Sequence, residues 1–440
     1  MFAVDVCLLP ATGGTTGIAV AALVLLVLGA VVARWVRASA GRLSVVATVP
    51  ILLMALVGAS APSVECAQEL LAPTTTVAPT TTVAPTTTTT VVPVDPNLVL
   101  QIDTSMQPGL GGASIGSMAA SGSVSTATTY VFELGLFGAV NVSIDWGDNT
   151  PASVATTAGV VSHTYSTSRQ YEIRVSGTLT GFGQSPPSNP LVGAEYLVGV
   201  SSFGDLGLTS LDFAFWSANN LVSVPSVLPS SVVSLEDTFF AADSFNHANI
   251  GAWDTSNVTN MTWLFEDTDS FNQDISGWDT SNVTNMSWMF SYASAFNQSL
   301  NSWNTSKVTN MAGMFRGAPV FNQSLSLWDT SSVTDMSEMF NFLCECYSSF
   351  DQSLSTWNVS LVTDMSNMFD GSGLSNGNYA LTLIGWASQN VKEGVNLGAQ
   401  GKSVGGDYYG DGCVAWKDLS LSETWVIADD SDFCSIEFNE

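Results

Sequence analysis

Trp278-Asp279-Thr280-Ser281-Asn282-Val283-Thr284-Asn285-Met286-Ser287-Trp288-Met289-Phe290 is one copy of a phrase that the chain repeats from about Phe239 to Phe369. Its tryptophans recur at Trp253, Trp278, Trp303, Trp328 and Trp357, in steps of 25, 25, 25 and 29. The closing phenylalanines Phe265, Phe290, Phe315, Phe340 and Phe369 keep the same steps. Four extra residues fall within 341–349 and read as a surface insertion. A fixed period of this size predicts a solenoid of coils about 25 residues long, each unable to hide its apolar side alone.

The energetics make stacking necessary. One coil offers about seven large apolar side chains, such as Val283, Met286, Met289, Phe290, Phe296, Leu300 and Trp303, each contributing ~1.5–3 kcal/mol if fully buried. Ordering a coil's backbone costs ~1–2 kcal/mol per residue, so a lone coil is unstable and needs neighbours on both faces. The tryptophans and phenylalanines, with Met286, Met311, Met336 and Met365, are therefore the expected shared core. The spacing Val283, Met286, Met289, Phe290 predicts one side of a short helix, N-capped by Ser281 or Thr280. The Leu/Ile-x-x-Trp segment before it is the candidate for a short strand in a parallel ladder.

Working outward, two degenerate coils (200–238) precede the regular ones (239–369). Leu211 and Phe215 anticipate Leu235 and Phe239, which anticipate Met261 and Phe265. After Phe369 the period breaks. Asn378 to Ala387 reads as a closing helix, and Val395–Leu397 with Trp425–Ile427 as short strands of a cap over 378–440.

Charge is distributed unevenly along the 440 residues. Residues 1–70 are neutral, and the net charge of −28 belongs to the remainder, which has seven basic residues against 35 acidic ones. So acidic a surface argues against nucleic acid or anionic lipid as a partner, since phosphate recognition needs clustered Lys and Arg. Its first consequence is solubility. Outside the targeting region lie Cys344, Cys346, Cys413 and Cys434. The first two stand too close in sequence for an easy mutual bridge, and Cys413–Cys434 is the simplest pair. Three connectivities remain open, with zinc as a weaker alternative.

At the N-terminus, Leu9-Pro10-Ala11-Thr12-Gly13, an apolar run over 18–33, and Arg34 and Arg37 resemble a sortase sorting signal of the LPXTG type. Cleavage after Thr12 would release only a short stub, because the motif stands at the opposite end from where such signals act. A second apolar run, 43–61, ends in Ala59-Ser60-Ala61, the shape of a secretory cleavage site. Either the chain is cut there, or the two runs form a membrane hairpin with Arg34, Arg37 and Arg42 in a cytoplasmic turn. Both outcomes put the rest outside the membrane, with 1–67 as its only membrane-contacting part. Residues 68–97, rich in Ala-Pro-Thr-Thr-Thr units, read as a disordered, extended Thr/Pro stalk.

Between 98 and 184 the pattern alternates as strands do. Ile144-Asp145-Trp146-Gly147-Asp148, then His163-Thr164-Tyr165 and Tyr171-Glu172-Ile173-Arg174-Val175-Ser176-Gly177, resemble the PKD (polycystic-kidney-disease) repeat, which implies an immunoglobulin-like β-sandwich. Gly147 permits a tight turn whose backbone Asp145 and Asp148 can cap. Ca²⁺ binding by the two acids is the alternative.

The repeats, the lead-in Ser202-Phe203-Gly204-Asp205-Leu206-Gly207-Leu208 and the exit Leu383-Ile384-Gly385-Trp386-Ala387 are together similar to the BspA-like family of bacterial leucine-rich-repeat surface proteins. That resemblance implies a multidomain chain: a PKD-like sandwich, then a leucine-rich-repeat-like α/β solenoid over 185–377. It also implies display at the extracellular face of a bacterial envelope, membrane-anchored or secreted, with extracellular protein or glycan partners.

Catalytic chemistry is hard to place. The only histidines are His163, in the PKD-like phrase, and His247, in a slot that later coils fill with Gln273, Gln298, Gln323 and Gln352. No catalytic residue and no cofactor is expected. Asp254, Asp279 and Asp329 form a column that caps helix starts, with Ca²⁺ as the weak alternative. Asn246, Asn272, Asn297 and Asn322 form another, expected to bond adjacent turns. The pairs Thr262-Trp263, Ser287-Trp288, Ala312-Gly313, Ser337-Glu338 and Ser366-Asn367 vary between coils, which favours a non-enzymatic binding or adhesion protein over a ligand-free surface-layer or matrix component.

Overall fold

A computed structural model describes residues 95–106, 129–183, 191–342, 348–404 and 410–429. The expectations for the sorting-like motif Leu9–Gly13, the apolar runs, the stalk up to residue 94, Cys344, Cys346 and Cys434 lie outside the described residues. Cys413 is disulfide-bonded. Among the described residues no helix is long and apolar enough to cross a membrane.

The first part is an antiparallel sheet of six strands: β1 (Leu98–Asp103), β2 (Tyr130–Asp145), β3 (Ser153–Ala155), β4 (Gly159–Tyr165), β5 (Gln170–Phe182) and β6 (Leu197–Phe203). All belong to one hydrogen-bonded sheet because β2 is long enough to change partner. Tyr130–Leu136 pairs with β4, and Leu136–Asp145 pairs with β5 across an irregularity between Phe137 and Val140. The sheet runs on past residue 184, since β6 pairs antiparallel with β1. Trp146 is fully buried. Its indole N–H donates to Ser153 Oγ at 2.8 Å, its carbonyl accepts from the Tyr165 hydroxyl, and His163 stacks on its ring at 4.8 Å.

From Leu206 onward the chain winds into stacked coils. A single column of parallel bridges marks the stack: Ser210, Ser234, Asn260, Asn285, Asn310, Asp335 and Asp364. β6 joins the stack at a separate point, for Gly199 bridges Ser223 in parallel while the same strand holds β1. The expected strand at Leu/Ile-x-x-Trp is not where the ladder forms. It forms at the Asn of Val-Thr-Asn-Met.

The expected short helix is absent as well, and its place is taken by a chain of β-turns. Met289 N–H donates to the Met286 carbonyl and Ala293 to Phe290, closing turns. Between them Trp288, Phe290 and Tyr292 donate to Ala312, Met314 and Arg316 of the next coil. Trp288 (φ 60) and Tyr292 (φ 56) take left-handed backbone, as the third residue of a type II turn must. Spacings of three and four fit this turn chain as well as a helix, and bonding to both neighbours satisfies more backbone than an isolated helical turn would.

Inside the stack the repeated residues form columns. Trp253, Trp278, Trp303, Trp328 and Trp357 are at most 3% exposed, and Met286, Met311, Met336 and Met365 are fully buried. Neighbouring phenylalanines of the closing column lie 5.5–6.1 Å apart. Each indole N–H reaches back to a backbone carbonyl of the preceding coil: Trp278 to Ile250, Trp303 to Ile275, Trp328 to Leu300 and Trp357 to Leu325.

The asparagine column is a ladder. Asn297 Oδ1 accepts from the Asn322 N–H at 3.0 Å and from Gln323 Nε2 at 2.9 Å, and the same pair of bonds links Asn246 to Asn272–Gln273 and Asn272 to Asn297–Gln298. Asn297→Ala leaves two donors unpaired, so a loss of about 1–3 kcal/mol is expected in urea unfolding; a shift within error would show that solvent replaces the rung.

The stack is closed at its far end by α1 (Asn376–Ala387), whose Trp386 continues the indole column by donating to the Leu354 carbonyl. β7 (Asn396–Gly398) and β8 (Val426–Ala428) pair in parallel, and β7 extends the ladder from Met365. A further helix, α2 (Gly410–Lys417), packs on α1.

Candidate binding face

The regular coils keep some surface columns constant and vary others. The column Thr259, Thr284, Thr309, Thr334 and Thr363 is invariant, and each hydroxyl donates to the carbonyl one coil back. The face built by the turn chain is different. One column there reads Trp263, Trp288, Gly313, Glu338, Asn367, and its companion reads Asp267, Tyr292, Gly317, Phe342, Gly371.

Apart from Phe342, both columns lie at left-handed backbone positions, where glycine is cheapest. Trp263 (φ 54), Trp288, Tyr292 and Glu338 (φ 55) nevertheless occupy them, at a cost of order 1–3 kcal/mol each. Two coils do use glycine, and the neighbouring rings need it. A Cβ on Gly313 would meet the Trp288 indole at 2.5 Å, and one on Gly317 would meet the Tyr292 ring at 2.4 Å. The two rings therefore lie across the next coil's backbone as a shelf. Arg316 sits between them, its guanidinium carbon 5.3 Å from one ring centre and 5.4 Å from the other, in cation–π range. Its Nε is 2.9 Å from Glu338 Oε2, an ionic contact without the alignment of a good hydrogen bond.

Acids flank the shelf. Burial pushes the Glu266 carboxyl up to about 7, although Ser291 Oγ donates to it and Arg316 draws it down. Burial also raises Asp267. Asp237, one coil before Trp263 in that column, is raised to about 8, first by burial and then by Glu236, Glu266 and Asp212. Further along, Trp216 packs edge-on against Phe240 at 5.4 Å. Half-buried rings, a single guanidinium and partly desolvated carboxyls thus share one face, which suits stacking and charge-assisted recognition.

The carboxylates singled out from the sequence do other work. Asp145 Oδ1 accepts the Gly147 N–H, while Asp148 accepts from Thr150 through one oxygen and contacts His163 Nε2 at 2.8 Å through the other. Those bonds from Thr150 and His163 outweigh partial burial and hold Asp148 down to about 2. Asp254, Asp279 and Asp329 each accept the N–H two residues on, at Ser256, Ser281 and Ser331, and so cap turns rather than the expected helices. Hydrogen bonds from these serines keep all three below the usual carboxylate range. Among the described residues no group of three or more His, Cys, Asp or Glu side chains could hold a metal ion. The sequence pointed to the Trp263/Trp288 column through its variation. It missed the Glu266–Tyr292–Arg316 companion, which only the coil register brings alongside.

No curated protein and no solved structure matches this chain. Residues 209–318, 233–346 and 299–402 each match the family model described as "Mycoplasma protein of unknown function, DUF285", so the domain is found repeatedly across 209–402, the span that carries the coils.

Proposed function

We propose that this is a non-enzymatic binding or adhesion protein of the BspA-like kind, displayed at the outer face of a bacterial envelope or secreted. In this reading a PKD-like module precedes a leucine-rich-repeat-like solenoid whose variable face engages an extracellular protein or glycan. The repeated family match over 209–402 supports the class. One observation carries the function: bulky aromatic and charged residues fill left-handed positions on a face that differs from coil to coil, where a packing material would have no use for residues that strain the backbone.

The test is an array of extracellular proteins and glycans probed with the full chain, followed by affinity measurements on variants. Trp288→Ala and Trp263→Ala are expected to weaken binding at least tenfold, roughly 1.4 kcal/mol or more, as for aromatic anchors at interface centres. Thr284→Ser on the constant face is expected to change nothing. Binding that ignores both tryptophans, or an array without a single ligand, would favour a purely structural surface component.

A further inference from the structure

The sheet and the first coils meet over a groove of about 810 Å³, bounded by Val200–Asp205 on one side and Ser223–Ser231 on the other. The coil at 221–235, which forms one wall of it, departs from the repeat. Where later coils insert a tryptophan, this one has Leu228 between Pro225 and Pro229, and where they place an asparagine it has Val222. His247 therefore has no amide of the preceding coil to hold, unlike Gln273, which bonds Asn246.

The lining is polar and unusually free. Among the described residues, the side chains of Gln101, Ser201, Ser223, Ser230 and His247 make no hydrogen bond to protein, and His247 Nδ1 is shut off from solvent without a partner. Gln101 and Ser223 converge over Gly199, where a Cβ would lie 2.5 Å from both side-chain oxygens. No Lys or Arg lines the groove, whereas Asp95 and Asp205 do. Pro225, Val227 and Pro229 add small apolar surfaces beside the hydroxyls.

Such a lining disfavours anions, which would find no lining cation, the carboxylate of Asp205 and an Asp95 already paired with Arg174, and it disfavours a wholly apolar ligand, which would strand the amide and hydroxyl groups. We infer that this groove is a binding site for a short neutral oligosaccharide, whose hydroxyls pair with Gln101, Ser223 and His247 while its apolar ring faces rest on Pro225 and Val227. The volume lies within the range of sites that enclose small ligands. This site is separate from the variable face and does not depend on that face's function.

Titration calorimetry and saturation-transfer NMR on the full chain would use tetrasaccharides of glucose, mannose, galactose and N-acetylglucosamine, with a hyaluronan tetrasaccharide as the anionic counterpart. At least one neutral sugar is expected to bind and the hyaluronan fragment is not. Gln101→Ala and His247→Ala should each raise Kd at least tenfold. Ser226→Trp, at an exposed position on the rim, should abolish binding by filling the groove while leaving the melting temperature unchanged. Trp288→Ala should have no effect. The inference is overturned if no neutral tetrasaccharide binds, if hyaluronan binds equally well, or if Ser226→Trp leaves binding intact.

Discussion

Trp303→Ala is expected to lower stability by about 3–5 kcal/mol, the range for truncating a large buried aromatic. The side chain is 3% exposed, lies parallel to Trp278 at 6.3 Å and contacts Phe290 at the same distance. Its N–H also satisfies the Ile275 carbonyl at 3.1 Å, which the substitution strands. Because every coil depends on its neighbours, a hole in the middle weakens coupling between the two halves of the stack. Urea unfolding should therefore broaden or split into two transitions as well as shift. Trp303→Phe keeps an aromatic ring but gives up the pyrrole part of the indole and its donor, so a smaller loss of about 1–3 kcal/mol is expected. A shift under about 1 kcal/mol for the alanine variant would mean that the coils collapse around the hole and that the columns matter less than their burial implies.

The protein is expected to be more stable at pH 5 than at pH 8.5, the reverse of a domain held by carboxylate ion pairs. Asp237 is buried among Glu236, Glu266 and Asp212, and burial raises its carboxyl from 3.8 to about 8. Glu266 follows, to about 7. A raised acid binds its proton more tightly in the folded chain than in the unfolded one, so its penalty is absent below the unfolded value. It then grows as pH rises and levels off above the folded value, which places the window between about 4 and 8. Asp237 alone should account for roughly 3–5 kcal/mol over that window, at about 1.36 kcal/mol per pKa step. Asp237→Asn keeps the shape and tolerates the residue's left-handed backbone (φ 53). It should raise the melting temperature at pH 8.5 and flatten the pH profile; a profile that stays as steep as wild type would show that Asp237 escapes to solvent when charged.

Much of the architecture can be read from the phrase itself, because a period of 25 with tryptophan, phenylalanine and methionine at fixed places leaves few ways to hide them. The local geometry cannot. Val283, Met286, Met289 and Phe290 point inward from a turn chain as readily as from a helix, and only the left-handed backbone at Trp288 and Tyr292 separates the two. That backbone is invisible in sequence because tryptophan and tyrosine seldom adopt it. The role of β6 was equally hidden, since Leu197–Phe203 pairs with a strand nearly a hundred residues earlier. On the binding face, variation at Trp263, Trp288, Gly313 and Glu338 was legible. The groove was not, because its walls, Val200–Asp205 and Ser223–Ser231, come together only through the pairing of β6 with the first coil.

β6 holds β1 along one edge and the first coil along the other. On the proposed reading of a tethered adhesin, this makes the junction a seam rather than a hinge. A pull entering through β1 reaches the coils by sliding strands past one another, so several backbone bonds must break together before the modules part. On that reading, tension on a captured ligand is carried across the seam and into the coils, where it can be dissipated rung by rung before the attachment fails.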